Sequence, residues 1–173
     1  NGTDLANVKG CVIRDKEGKP LLTPKREVIK DLDSLPVPAW RMMPRGRHYY
    51  IQISRGCPGK CSFCFRMFGR KVRTFSPQRI VSEIEDIITY SGAKSFALGA
   101  ATFGVPKRHA IELMDLIIST GLNKKISWVG ATRVDITDRE LFMKMKESGC
   151  SSIGLGIESG DDEILKRTGK NIT

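Results

Sequence analysis

The sequence predicts an α/β domain built on a parallel sheet, and two observations predict it. From Tyr49 onward, short runs rich in β-branched and aromatic residues alternate with amphipathic runs of helical period. Gly92, Gly121 and Gly149 each close one of the amphipathic runs, the position where a helix C-terminus favours glycine. Strand–helix units of this spacing make parallel strands joined by crossovers, and such a sheet has to be covered by helices. The units alone fit either a doubly wound sheet or part of a barrel.

Taken in order, the first 45 residues read apart from the rest. Val12-Ile13 and Leu21-Leu22 flank the polar stretch from Asp15 to Pro20, which predicts a small hairpin. Leu32, Leu35, Pro36, Pro38 and Trp40 form a proline-punctuated connector, with Pro38 and Trp40 expected to meet whatever precedes or covers the main domain. Residues 1–45 are therefore expected as an N-terminal hairpin and linker, and 46–173 as the core domain. Tyr49 to Ser54 is the first strand. Ser76 as N-cap, Pro77 behind it and Phe75 with Ile80 as a hydrophobic staple start the first helix. Ile80, Val81, Ile84, Ile87 and Ile88 give that helix its apolar stripe. Ser95 to Ala101 is the second strand, Ala110 to Thr120 the second helix and Ile126 to Thr132 the third strand. Thr137 with Glu140 predicts a capping box, stapled by Ile136 and Leu141, at the start of the third helix. Ser151 to Ile157 is the fourth strand, and Asp161-Asp162-Glu163 puts acids at the positive end of a fourth helix.

The chain has 173 residues, 40% hydrophobic and 28% charged, which suits one globular domain with a core of its own. No apolar run approaches the roughly 20 residues that cross a bilayer, so no membrane span is expected. The chain opens on Asn1 and its pattern stops after the fourth unit, leaving a last strand with an unpaired edge. A piece of a longer polypeptide is the expectation, and the Asn-x-Thr triplets at its two ends carry no weight. The net charge of +10 suits an acidic protein partner, an anionic substrate or nucleic acid. The basic residues are scattered with no aromatic-interleaved stripe, so nucleic acid is the weakest of these readings. An acidic electron donor explains the sign as well.

Cysteine usage is more telling. There are five cysteines, an odd number, and three of them crowd into the loop Arg55-Gly56-Cys57-Pro58-Gly59-Lys60-Cys61-Ser62-Phe63-Cys64 after the first strand. This is no secreted disulfide framework, and a reducing cytoplasm with a metal is the natural inference. Three thiolates at this spacing could wrap three corners of an iron–sulfur cube and leave one iron open. Gly56 and Gly59 let the backbone turn towards the sulfides, while Arg55, Lys60 and Arg66 offset negative charge. Structural zinc would want four ligands, often as two separated pairs. An electron-transfer ferredoxin would supply a fourth cysteine, for which Cys11 and Cys150 are the candidates. Cys150 precedes the fourth strand, at the far end from the loop, and is expected to pack as a small core residue. Spacing favours the open cluster over these closed alternatives.

The Cys57, Cys61, Cys64 triplet, with Phe63 before its last cysteine, resembles the signature of the radical S-adenosylmethionine (radical SAM) superfamily. Four stretches look more specifically like the class with an upstream cobalamin-binding domain: Leu32 to Trp40, Ser54 to Pro58, Thr132 to Asp135, and Gly149 to Gly160. The resemblance implies a partial (β/α) barrel of the radical SAM type, here its first four strand–helix units with an N-terminal hairpin and linker. It implies a [4Fe–4S] cluster held by Cys57, Cys61 and Cys64, with S-adenosylmethionine (SAM) chelating the open iron. One electron through the cluster would cleave SAM to a 5′-deoxyadenosyl radical, for methylation or ring-forming chemistry on an unreactive carbon. Cobalamin would sit on a domain outside this chain, and a flavodoxin- or ferredoxin-type protein would supply the electron. The protein's share is placement and exclusion of water.

The same resemblance assigns the remaining site residues. All the distinctive polar groups follow the C-terminal ends of the strands, where barrel enzymes gather theirs. Period two puts Gly154, Gly156 and Glu158 on one face of the fourth strand, leaving room for a ligand beside the backbone. Glu158 would contact the ribose or amino end of SAM, Arg133 its methionine carboxylate, and Phe63 its adenine through the backbone. Arg133 as a rim ion pair with Asp135, and Glu158 as a helix cap, are the plainer readings. Where many relatives end the second strand in Gly-Gly-Glu or paired aspartates, this chain reads Gly99-Ala100-Ala101. A backbone carbonyl there can still accept from the amino group of SAM, but an acidic side chain has no role. The competing readings are a cobalamin-free radical SAM enzyme such as a methylthiotransferase, and a non-catalytic iron–sulfur or zinc module.

Overall fold

A computed structural model describes residues 4–65, 67–170 and 172. The terminal Asn-x-Thr triplets and Arg66 fall, wholly or in part, outside these. The chain divides into two compact units, Asn1–Lys30 and Asp31–Thr173.

In the first unit, β1 (Val12–Arg14) and β2 (Pro20–Leu22) form the expected antiparallel hairpin, with Ile13 opposite Leu21. Asp15 builds its turn, its Oδ1 accepting from the amides of Glu17 at 2.9 Å and Lys19 at 2.8 Å.

The second unit holds the sheet. Its strands are β3 (His48–Gln52), the short pair β4 (Ser54–Arg55) and β5 (Arg73–Thr74), then β6 (Ser95–Gly99), β7 (Ser127–Arg133) and β8 (Cys150–Gly156). Helices α1 (Pro77–Ser91), α2 (Lys107–Ser119) and α3 (Arg139–Glu147) connect them, and α4 (Asp162–Arg167) follows the last strand. The main sheet has the order β3-β6-β7-β8, every pairing parallel. Spatial order that follows chain order, with no reversal, is the winding of a barrel rather than a doubly wound sheet. The sheet is open, with β3 and β8 at its two edges.

The first strand is shorter than its composition suggests. It breaks at Ile53, whose N–H donates to Gly99 O at 2.8 Å while its own carbonyl accepts from Phe75 N at 3.0 Å. Ser54 and Arg55 then pair antiparallel with Thr74 and Arg73. This two-residue ladder pinches together the ends of the cysteine loop.

Alternation along β3 decides its faces: Tyr49 and Ile51 are buried, whereas Tyr50 is exposed. The buried set packs with Phe96, Leu98 and Trp128 against Ile80, Ile84, Ile87, Leu113, Met114 and Ile117 of the helices. Ser76 caps α1 as expected, accepting from Arg79 N, and Gly92 ends it at φ 70°. The cap of α3 differs from the expected Thr137–Glu140 box. Asp138 accepts from Leu141 N at 2.9 Å, because a carboxylate suits a positive helix end better than a hydroxyl. Glu140 instead accepts from Lys107 at 2.6 Å.

The connector lies on the domain itself. Leu32 is wholly buried in the core, Asp33 accepts from Ser76 N, and Trp40 donates to Glu83 of α1 at 2.8 Å. Burial raises the Glu83 carboxyl above its ordinary pKa, against the opposing effects of the Trp40 hydrogen bond and the Arg79 charge.

Candidate functional site: the cysteine loop and its rim

Gly56 starts the loop at φ 94°, and a side chain there would collide with the carbonyl of Lys71. Only glycine permits both the left-handed turn and the close approach. Cys57 N then donates to Gly69 O at 3.1 Å, drawing the two limbs of the loop together.

The three cysteines sit in different surroundings. Cys57 Sγ lies 3.2 Å from Thr102 Oγ1, just beyond the end of β6, and accepts from Gly59 N at 3.4 Å. Cys61 is buried, and its sulfur accepts from Arg133 Nη1 at 3.5 Å. Cys64 is exposed. Cys57 and Cys64 line one cavity of about 240 Å³ together with Tyr50, Phe68 and Ala100. Among the described residues no three His, Cys, Asp or Glu side chains are gathered closely enough to hold a metal ion, so the loop presents donors and their supports rather than a closed cage. The Gly59 N–H and the Arg133 guanidinium directed at sulfur suit thiolates, whose charge such donors stabilise, whereas the Thr102 hydroxyl already donates to Ala101 O at 2.8 Å.

Arg133 is central to this rim. It ends β7, and its Nε and Nη2 grip the Asp135 carboxylate at 2.8 and 2.7 Å in a bidentate pair. The Asp135 hydrogen bond raises the arginine pKa, and the same contact holds the Asp135 carboxyl below the usual carboxylate range. Nη2 also donates to Lys170 O at 2.8 Å. The arginine thus forms the plain rim ion pair and touches a cluster-loop cysteine at the same time.

Glu158 does not continue the period of β8. That strand ends at Gly156, and Glu158 sits at φ 67°, a left-handed conformation. Its Oε1 meets Lys170 Nζ at 3.1 Å. Gly99 and Ala100 stand at the end of β6. The ring of Tyr50 fills the space that a Gly99 side chain would take, and Gly99 O already accepts from Ile53. Phe63 is 55% exposed on the outer limb of the loop. Cys150 lies at the N-terminal end of β8, opposite the loop, and burial raises its thiol pKa. Lys170 was missed by sequence reasoning. It stands in a basic stretch with no motif around it, and only the return of the chain after α4 buries it.

The comparisons with known proteins bear on the same region. The sequence pattern of the radical SAM superfamily matches residues 51–173. An uncharacterized methyltransferase of Pyrococcus horikoshii is 31% identical, over 99% of this chain and 39% of its own length. The anaerobic magnesium-protoporphyrin IX monomethyl ester cyclase of Cereibacter sphaeroides is 30% identical, over 88% of this chain and 26% of its own length. Among solved structures, the radical SAM methyltransferase TsrM of Kitasatospora setae, seen with cobalamin and a [4Fe–4S] cluster bound, superposes with a TM-score of 0.74 at 16% identity. That match covers 95% of this chain and 36% of TsrM, and it speaks for the fold. The chain spans well under half the length of each of these proteins. With the family pattern covering most of its length and a cysteine loop closing its first parallel strand, the chain belongs to the radical SAM superfamily.

Proposed function

We propose that this chain is the cofactor-binding part of a radical SAM enzyme of the cobalamin-associated class, one that methylates or cyclises at an unreactive carbon. The observation that carries the reading is the loop of Cys57, Cys61 and Cys64 at the C-terminal rim of the sheet, with Arg133 donating to Cys61 Sγ at 3.5 Å. The cluster and SAM, when bound, supply one-electron cleavage of a sulfonium bond and so a carbon radical. The residues of this chain hold and orient them. Cys57, Cys61 and Cys64 would hold the cluster, leaving one iron available to SAM. Arg133 offsets thiolate charge at Cys61, and its remaining donor capacity faces the methionine carboxylate. The Ala100 carbonyl takes the amino group, since that of Gly99 already serves Ile53. Glu158 faces the ribose or amino end, and Phe63 the adenine. Residues 1–45 form the junction to an upstream domain that would carry cobalamin, and 46–173 the first part of the barrel.

The cytoplasm is the proposed location, because three free thiols that ligate iron need a reducing compartment. No described helix is long and apolar enough to cross a membrane. The net charge of +10 supports an acidic flavodoxin- or ferredoxin-type electron donor. The test is electron paramagnetic resonance of the reduced, reconstituted protein. The expected result is a [4Fe–4S]⁺ signal whose g-values move when SAM is added. A signal indifferent to SAM, or none, rejects the reading.

A further inference from the structure

The chain folds back onto the cysteine loop after α4, and residues 168–170 make that return. Thr168 O accepts from Ser62 N at 2.8 Å, which pins the stretch between Cys61 and Cys64. Gly169, at φ 69°, passes so near the loop that an added side-chain carbon would stand 3.2 Å from Lys60 O. Lys170 then points in two directions. Its carbonyl accepts from Arg133 Nη2 at 2.8 Å, and the same arginine reaches Cys61 Sγ. Its side chain is 5% exposed and delivers Nζ to Glu158 Oε1 at 3.1 Å.

Both partners of that ion pair are placed at some cost. Lysine is almost never this buried unless a partner keeps its charge, which the carboxylate does. Glu158 is the one non-glycine among the described residues with positive φ, and glutamate has no preference of its own for that region. The pair also dictates its neighbour. A side chain at Gly156 would stand 2.9 Å from both Glu158 Oε1 and Lys170 Nζ.

We propose that Lys170 is a positioning residue for SAM, in the site read above as a radical SAM centre, on which this inference rests. Its ammonium holds Glu158 in the left-handed turn, and its carbonyl holds Arg133 against Cys61. One residue thereby sets two of the side chains proposed to face the cofactor, Arg133 and Glu158. The two arms separate experimentally, because substitution removes the ammonium and leaves the carbonyl in place.

The test uses the intact, reconstituted protein carrying Lys170→Met, Lys170→Arg, Glu158→Gln or the Lys170→Met/Glu158→Gln pair. Iron and sulfide content and the SAM-free resonance spectrum of Lys170→Met are expected to match wild type. The SAM concentration that half-converts the spectrum is expected to rise about tenfold or more, the scale of one charge-assisted contact. Lys170→Arg recovers part of that loss. The double variant is no weaker than the worse single one, because the two side chains act through one contact. Wild-type SAM response in Lys170→Met overturns the inference alone, and so does a lowered iron and sulfide content in which the remaining cluster keeps the wild-type SAM midpoint. Should Lys170→Met fail to fold, Glu158→Gln breaks the pair from its more exposed side, and an unchanged midpoint there overturns the inference. A wild-type spectrum that ignores SAM defeats the proposed function, and this inference with it.

Discussion

The two ends of the parallel sheet each hold cysteine, and they treat it in opposite ways. At the N-terminal end, Cys150 pairs in register with Trp128, a wholly buried residue whose Nε1 donates to Ser148 O at 3.0 Å. Burial there raises the thiol pKa and keeps Cys150 neutral. At the C-terminal end, Cys57 meets a hydroxyl and a backbone N–H, and Cys61 meets a guanidinium. The far end is apolar packing closed by glycine caps. The near end carries left-handed Gly56 and Glu158, exposed Phe63 and Phe65, and a buried lysine. The difference separates the residues that make the domain stable from those that would make it reactive.

Two substitutions would break that division if it is wrong. Trp128→Ala removes the largest buried side chain, together with its stacking on Phe103 at 5.0 Å between ring centroids. A loss of about 3–5 kcal/mol in urea-unfolding free energy is expected, with iron bound per folded molecule unchanged. Iron falling faster than folded protein would show that the two ends are not separable. Gly56→Ala is the smaller perturbation of the fold and the larger one of the site. At φ 94° the added methyl group meets the Lys71 carbonyl, and the expected loss of stability is about 1–2 kcal/mol. Most of the iron should be lost on reconstitution. Full iron in Gly56→Ala would mean that the loop needs no left-handed turn to hold a cluster.

Legibility in the sequence followed a different divide, between local signals and contacts made by distant segments. Strands β6, β7 and β8 and the start of α1 could be read from period, caps and closing glycines, because those signals are local. The cysteine triplet was legible for the same reason, with all three cysteines inside eight consecutive residues. Contacts made by distant segments were not. Nothing near Ile53 announces that it leaves the sheet, since its N–H makes the last bond to Gly99 while its carbonyl is turned to the distant Phe75 N. Asp138 took the cap of α3 from Thr137, a choice between adjacent capping residues that spacing alone does not decide. Glu158 was expected to follow the alternation of β8, but its carboxylate is drawn to Lys170, 12 residues further on. Lys170 itself, among Lys166, Arg167 and Lys170, looks like any solvated cation until the chain returns over it.

The proposed function requires one cluster iron without a protein thiolate. Mössbauer spectroscopy of the ⁵⁷Fe-reconstituted protein addresses it directly. One iron in four is expected to change its isomer shift when SAM is added, while the three held by Cys57, Cys61 and Cys64 stay as they were. Four irons that remain alike with SAM present would mean a fourth thiolate ligand, and would contradict the account.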